Sequence, residues 1–194
     1  HGLQPSEYNF GGILGTTNMD TRPSGLRPGT RLSSSFSNRT YAGRLMVTHT
    51  SKVSKNGLTY SISASRRWAK QGYIDGTLYD AFSVFGALEY RFNEKNSISF
   101  TGIWASNRRG RSSALTEEVF DLVGKRYNPY WGEQEGEIRN SRERKIEEPI
   151  LMLNHFFKTD KVTLNTGIAY QFGTNKRSRL AYFNAPNPDP TYYR

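Results

Sequence analysis

The amino-acid sequence predicts an all-β protein built from antiparallel strands. Apolar and polar residues alternate with a period of two along several segments, and turn-forming residues separate those segments. Such alternation places apolar side chains on one face of a strand and polar side chains on the other. The composition adds a third observation: 194 residues contain 12 Tyr, 11 Phe and 18 Gly, a mixture unusual for a soluble core.

The alternation identifies seven strands. It is clearest from Leu58 to Ser65, where every even-numbered residue is apolar and every odd-numbered residue is Ser or Thr. The predicted strands are Tyr8 to about Met19, Tyr41–Thr48 reaching back towards Arg31, Leu58–Ser65, Phe82–Phe92, Ile98–Trp104, Ile150–Phe157 and Val162–Phe172.

Short and long connections alternate along the chain. The short turns are Lys52–Gly57, Asn93–Asn96 and Thr159–Lys161, all rich in turn formers or charge. The long links are Arg22–Gly29, Ala69–Asp80, Asn107–Glu148 and everything after Gly173. Antiparallel strands reverse direction at each connection, so this order predicts all short turns at one end of the sheet and all long links at the other.

This layout is typical of an outer-membrane β-barrel. No stretch approaches the roughly 20 apolar residues of a spanning helix, and in lipid only helices and closed barrels satisfy every backbone polar group. Only every second barrel residue faces lipid, which fits a mean hydropathy of −0.72. A soluble antiparallel barrel or sandwich is the alternative. The aromatic residues that fit interfacial girdles are Trp68, Tyr79, Phe82, Tyr90, Phe92 and Trp104.

The predicted strand number indicates an incomplete barrel. Bacterial membrane barrels have even strand numbers, and an open sheet with an apolar face would aggregate through its edges. We therefore expect residues 1–194 to be one part of a larger antiparallel transmembrane β-barrel. A chain that starts at His1, without Met or a signal peptide, agrees with this expectation.

Four segments, in order, carry a resemblance to a known family. They are Ser37–Tyr41, Ser63–Phe82, Arg126–Gly132 and Asn184–Arg194. These segments resemble the SusC-like TonB-dependent receptors of Bacteroidota, which are outer-membrane importers. The resemblance covers nearly the whole chain from about Tyr8.

The resemblance implies a barrel of about 22 strands, filled by an amino-terminal plug, that imports a scarce nutrient with energy transmitted by TonB. The chain would be the first third or so of that barrel, directly after the plug, because no plug, TonB box or final aromatic strand is recognisable in it. The implied partners are outer-membrane lipid and lipopolysaccharide, the plug, the remaining strands, TonB, and in some receptors a SusD-like surface lipoprotein.

The long loop at residues 107–148 differs most from the rest of the chain, because it is the longest connection between predicted strands. Within it, Ser112–Gly124 reads as a short amphipathic helix with Ser113 as N-cap, an acidic first turn and Gly124 as its end. Loops of this length are usually functional or disordered. This loop either faces a ligand or packs on its neighbours or on lipopolysaccharide. The residues predicted nearest to a ligand or lid are Arg66, Trp68, Tyr73, Tyr130 and Trp131.

The sequence contains no recognisable catalytic or metal-binding motif. There is no cysteine, and the three histidines are widely separated, so we expect no metal, no cofactor and no enzymatic activity. The net charge of +10 is spread along the chain, which does not favour nucleic-acid binding. The one local basic cluster, Arg108-Arg109-Gly110-Arg111, suits either lipopolysaccharide phosphates or solvent.

Two other functions fit the pattern. The first is a small self-contained outer-membrane barrel acting as an adhesin or structural protein. It needs an eighth strand, and three prolines between Tyr182 and Tyr193 disfavour one there. The second is a soluble basic module that binds RNA or another polyanion.

Overall fold

The computed structural model describes residues 18–186, and this part of the chain is an all-β, antiparallel structure, as the sequence predicts. It contains one helix, α1 (Glu117–Val123), and a single 3-10 turn, Pro23–Gly25. The strands are β1 (Gly29–Phe36), β2 (Gly43–Thr50), β3 (Leu58–Ala69), β4 (Tyr79–Arg91), β5 (Asn96–Gly110), β6 (Trp131–Gln134), β7 (Glu137–Asn140), β8 (Glu143–Glu147), β9 (Ile150–Lys158), β10 (Thr163–Gln171) and β11 (Thr174–Arg177).

Nine of these strands form one sheet, and β6 and β7 form a separate hairpin. The nine strands occupy seven rows, because β8 continues into β9, and β10 into β11, without a change of register. The interruption falls at Pro149, which has no N–H to donate to the ladder. Within residues 18–186 the sheet does not close on itself, and β1 forms one of its edges.

Five predicted strands are confirmed with shifted ends, as β3, β4, β5, β9 and β10. A sixth predicted strand, Tyr41–Thr48, is confirmed with shifted ends as β2, but its extension back towards Arg31 is wrong, because that stretch forms a separate strand, β1. Polar residues after Phe36 favour a turn, and the Ser37 amide closes it by donating to the Ala42 carbonyl at 3.2 Å. The predicted strand from Tyr8 to Met19 lies outside the described residues except for Asn18 and Met19, which are not in a strand.

The predicted separation of connections is confirmed with one exception. Residues 51–57, 92–95 and 159–162 turn at one end of the sheet, and residues 37–42, 70–78 and 111–142 lie at the other. The exception is the predicted long link Arg22–Gly29. It reaches β1 at the short-turn end, because Gly29 pairs with Thr50, the last residue before the 51–57 turn.

One side of the sheet, the apolar face, carries exposed hydrophobic side chains in all seven rows. Ile62 near the middle of the sheet is 55% exposed, and Ile168 in the last row is 71% exposed. One representative from each row is Leu32, Val47, Ile62, Leu88, Phe100, Leu153 and Ile168. Soluble antiparallel sheets bury this kind of face. No helix within residues 18–186 is long and apolar enough to cross a membrane.

The opposite side, the polar face, is buried in strands β2–β5, whereas β10 is exposed on both of its sides. Thr59, Ser61, Glu89, Ser99 and Thr101 point to it, and each is at most 2% exposed. Hydroxyl groups on this face pair across neighbouring strands, each pair at an oxygen–oxygen distance of 2.8 Å. The three pairs are Thr48–Ser63, Thr50–Ser61 and Ser65–Ser83.

Residues 18–28 contact the polar face. The Ser24 amide donates to the buried Glu89 carboxylate at 3.0 Å, and the hydroxyls of Thr21 and Thr101 are 3.2 Å apart. The Arg22 guanidinium lies 4.6 Å from the centre of the Phe156 ring and also bonds Asp20. The side-chain hydrogen bond from Arg22 lowers the pKa of Asp20 below its usual value. This segment therefore satisfies the buried carboxylate of Glu89.

Tyr79 is a correction to the predicted aromatic girdle. Its side chain lies on the polar face, where it is 8% exposed and its hydroxyl accepts a hydrogen bond from Asn107 at 3.0 Å. The odd-numbered residues of β4 face this side, so parity excludes Tyr79 from the apolar face. The other five aromatic residues are exposed: Trp68, Phe82, Tyr90, Phe92 and Trp104.

Next to the break at Pro149, the chain between β10 and β11 requires a glycine at position 173. A Cβ added to Gly173 would overlap the Glu147 carbonyl oxygen, whereas one added to Gly86 meets nothing within 4 Å. We expect Gly173→Ala to lower the free energy of unfolding by about 1–3 kcal/mol through overpacking, and Gly86→Ala to leave it nearly unchanged. Urea unfolding followed by circular dichroism measures both variants. Equal losses would contradict the proposed overlap.

Candidate functional site

The long connections pack together at one end of the sheet as a loop cap, which consists of residues 37–42, 70–78 and 111–142. Two backbone hydrogen bonds join its parts: the Tyr73 amide donates to the Arg39 carbonyl at 2.7 Å, and the Asp75 amide donates to the Arg126 carbonyl at 2.9 Å. The 70–78 loop therefore lies between the other two segments and contacts both.

Residues 107–148, predicted as one long loop, contain regular structure. Strand β5 extends through Gly110, and the rest includes α1, the β6–β7 hairpin and all of β8. Helix α1 ends before Gly124, as predicted, and Gly124 has a φ of +88°. The predicted N-cap is wrong: the helix begins at Glu117 after Thr116, and the Ser113 hydroxyl donates to the Ala114 carbonyl instead. The acidic first turn is Glu117 and Glu118, as predicted.

Two buried asparagine side chains hold the loop cap together. The Asn128 amide nitrogen lies 2.8 Å from the Asp75 carbonyl and 3.1 Å from the Arg111 carbonyl. The Asn140 amide nitrogen lies 2.9 Å from the carbonyls of both Gly76 and Arg111. Each asparagine thus uses both of its N–H donors to connect two loops through their backbone. Asn128 is 1% exposed and Asn140 is 7% exposed.

An acidic residue adds a second connection within the cap. The Asp75 carboxylate accepts a hydrogen bond from Gln71 at 2.7 Å and forms an ion pair with Arg126 at 3.1 Å. The same guanidinium lies 5.9 Å from the centre of the Tyr73 ring. Residues 70–78 therefore carry both backbone and side-chain contacts to the segment after α1.

The structure separates the five predicted site residues into two groups. Tyr73, Tyr130 and Trp131 lie in the loop cap, where Tyr130 is 5.6 Å from the Arg142 guanidinium and Trp131 packs against Gly76. Arg66 and Trp68 lie on the apolar face instead.

The two residues of the apolar face make local contacts. Arg66 pairs with Asp80 at 3.4 Å, and both side chains are largely exposed. The Trp68 ring lies so close to Gly43 that a Cβ there would be 2.6 Å from a ring carbon. Because both residues are even-numbered in β3, they point away from the polar face.

A cleft of about 410 Å³ opens between the loops of the cap. Its lining includes Arg39, Tyr73, Tyr79, Arg109 and Arg111, and it contains no acidic residue. This positive, partly aromatic surface is chemically suited to anionic groups.

Strand geometry divides the basic cluster that the sequence places at residues 108–111. Arg108 lies on the other side of β5 from Arg109 and makes two hydrogen bonds to Glu143, at 2.7 and 2.9 Å. Arg109 and Arg111 join Arg39, some seventy residues earlier, in the cleft. Sequence reasoning missed Arg39, Asn128 and Asn140, because their roles depend on contacts between distant loops.

The histidines of the described region have separate local roles. His49 is 2.8 Å from the Thr30 hydroxyl, and His155 is 3.2 Å from the Asn96 side-chain oxygen. Between residues 18 and 186, no three His, Asp or Glu side chains are grouped so as to hold a metal ion.

The asparagine contacts predict that Asn128→Asp loosens the 70–78 loop. The substitution removes both donated hydrogen bonds and places a carboxylate beside two carbonyl oxygens. We expect the amides of residues 70–78 to exchange with solvent about ten- to a hundredfold faster, measured by hydrogen exchange. Asn56→Asp makes the same charge change in an exposed turn and serves as the control. Unchanged exchange in Asn128→Asp would disprove the clamp.

Comparison with known proteins identifies no relative of this chain. No family model, no curated protein and no solved structure matches the chain. The resemblance of Ser63–Phe82 and its companion segments to SusC-like receptors therefore stays a prediction.

Proposed function

We propose that the chain is part of a SusC-like TonB-dependent receptor of the bacterial outer membrane, which binds a nutrient outside the cell and imports it. The observation that supports this proposal is that the sheet exposes its apolar side and buries its polar side, the reverse of a soluble protein. Hydrophobic side chains are exposed in all seven rows, while Ser, Thr and Glu side chains of β2–β5 on the opposite face are buried. A strand that faces lipid on one side and a polar interior on the other has this pattern.

The dimensions of the apolar face support the proposal. It runs from Phe82 in β4 to Phe92, the residue directly after β4, a span of about 33 Å at roughly 3.3 Å per residue. A strand tilt of about 40° would reduce this to a height of about 25 Å, the height of the apolar band of membrane barrels. Asp80 and Arg108 lie beyond one limit of the band, and the polar turn residues 93–95 lie beyond the other.

Water is an unfavourable environment for this surface. Monomeric soluble proteins rarely expose contiguous apolar patches larger than a few hundred Å², and this face extends across every row of the sheet. Lipid would cover it and remove the cost of hydrating those side chains. The exposed aromatic residues Phe82 and Trp104, packed edge to face with ring centres 5.7 Å apart, suit the level of the lipid headgroups.

The other surfaces are assigned by the same proposal. The polar face would line the barrel interior and face the plug. Residues 18–28, which contact this face, would lead from the plug into β1. The loop cap would face the outside, where Tyr73, Tyr130 and Trp131 would approach the nutrient or a SusD-like lipoprotein. TonB would act through the plug and the strands of the rest of the receptor. No bond of the substrate is made or broken in this role.

A charge placed on the apolar face tests the membrane part of the proposal. Val84 lies on that face in the middle of β4, and Val53 lies in the exposed 51–57 turn. Arginine facing the bilayer centre costs about 2–4 kcal/mol, so we expect Val84→Arg to reduce the folded protein recovered from outer membranes at least tenfold. Val53→Arg should leave that amount unchanged. Equal recovery of the two variants would argue against a lipid-facing sheet.

Peptide tags at the two ends of the sheet test its orientation. A tag inserted at the Glu135–Gly136 turn of the β6–β7 hairpin should bind antibody on intact cells. A tag inserted between Lys55 and Asn56 should bind only after the outer membrane is permeabilised, because short turns face the periplasm. Labelling of both tags on intact cells would contradict the proposed orientation.

The first tag also separates an importer from a small stand-alone barrel. Protein purified through it from native membranes should be a folded barrel with a plug, far larger than the 22.1 kDa of these 194 residues. Recovery of a folded barrel of about 22.1 kDa would favour the adhesin or structural alternative.

A further inference from the structure

Three arginines line the cleft of the loop cap, one from early in the chain and two from around the end of β5. Arg39 comes from the 37–42 loop, Arg109 from the end of β5, and Arg111 from the start of the following segment. All three side chains are exposed, and the lining contains no Asp or Glu. Like charges gathered in this way repel one another unless an anion lies among them.

The positive charge of the cleft is not neutralised by the described part of the chain. Nearby arginines show the contrast: Arg108 pairs with Glu143 at 2.7 Å, and Arg126 pairs with Asp75 at 3.1 Å. Among residues 18–186, no side-chain hydrogen bond or ion pair engages the guanidinium groups of Arg39, Arg109 and Arg111. They remain available to an added ligand.

The backbone that presents these arginines is fixed. The Arg111 carbonyl accepts hydrogen bonds from both Asn128 and Asn140, and its amide donates to the Arg142 carbonyl at 2.9 Å. The Arg39 carbonyl accepts from Tyr73, and the Gly110 amide, next to Arg109, donates to the Leu78 carbonyl at 2.9 Å. Such preorganisation lowers the entropic cost of ligand binding.

We propose that this cleft binds a small soluble anion that carries carboxylate or phosphate groups. The planar guanidinium is suited to two parallel hydrogen bonds to either group. Two hydroxyl groups, of Thr40 and Ser112, would contact polar atoms of such a ligand. The rings of Tyr73 and Tyr79 would contact its flat surfaces. The volume of about 410 Å³ lies in the range of small-molecule sites.

Two further arginines, Arg44 and Arg67, continue the positive surface on the polar face. Tyr41 lies 6.2 Å from Tyr79, ring centre to ring centre, and the Arg67 guanidinium lies 5.9 Å from the Tyr41 ring. Arg44 is directly opposite Arg67 in the sheet, and the Nε atoms of both are buried with no hydrogen-bond partner among the described residues. Positive charge therefore extends from the cleft onto this face. The inference concerns the charge of the ligand and does not depend on whether the sheet lies in a membrane.

Calorimetric titration of the whole protein, purified from its native source through the tag between Lys55 and Asn56, at the end of the sheet opposite the cleft, tests the inference. Pyrophosphate and citrate are the probes, and maltotriose is a neutral control ligand. We expect at least one anion to bind and maltotriose not to bind. Arg39→Ala, Arg109→Ala and Arg111→Ala should each weaken anion binding about tenfold or more, and Arg109→Lys should retain part of it.

Arg91→Ala is the matched control, because it removes the same charge from the polar face at the opposite end of β4 and should not change the affinity. Failure of both anions to bind, or equal affinity in the wild-type chain and in Arg39→Ala/Arg109→Ala, would overturn the inference. Binding restricted to lipid A micelles would assign the cleft to a lipid headgroup, and binding restricted to a polyglutamate peptide would assign it to an acidic protein. Either result would also overturn it, whereas loss of membrane insertion in Val84→Arg tests the proposed function alone.

Discussion

The need to satisfy buried polar groups on one side of a single sheet governs this structure. A carboxylate or hydroxyl removed from water must find hydrogen-bond partners. Cross-strand hydroxyl pairs such as Thr50–Ser61 and the backbone amide of Ser24 beside Glu89 supply them. Because the alternation gives the polar side chains to this face, the hydrophobic side chains are left on the other. The exposed apolar face and the covering segment at residues 18–28 are thus two consequences of one arrangement.

The two ends of the sheet differ because their connections differ in length. Turns such as residues 92–95 only reverse the chain, and their hydrogen bonds are local. The segment at residues 111–142 is long enough to form a helix and a hairpin and to return across its neighbours. Asn128 and Asn140 bind the backbone of those neighbours, so the cap has its own interior although it consists largely of loops. A rigid sheet and a fixed cap together hold the arginine cleft open, which suits recognition of a ligand by loops on a scaffold.

Several errors of sequence interpretation have a common cause. Tyr79 is aromatic and near a strand end, but its position in β4 directs it to the polar face. Ser113 is a good helix N-cap by residue type, yet the N-cap is Thr116, three residues later. The link at Arg22–Gly29 has the length of a long loop, yet pairing of Gly29 with Thr50 places it at the short-turn end. Residue type or length agreed with each prediction, but the position of Tyr79 in the alternation of β4, the local hydrogen bond of Ser113 and the pairing of Gly29 with Thr50 decided otherwise.

The sequence by itself determined the all-β class, the positions of most strands, the faces of their side chains and the end of α1 at Gly124, because alternation and glycine conformation are local properties of the chain. The tertiary structure decided which residues meet. Strand register separates Arg108 from Arg109, and contacts between loops bring Arg39 to Arg109 and Arg111. Such contacts join residues some seventy positions apart, and no periodicity within a strand contains that information.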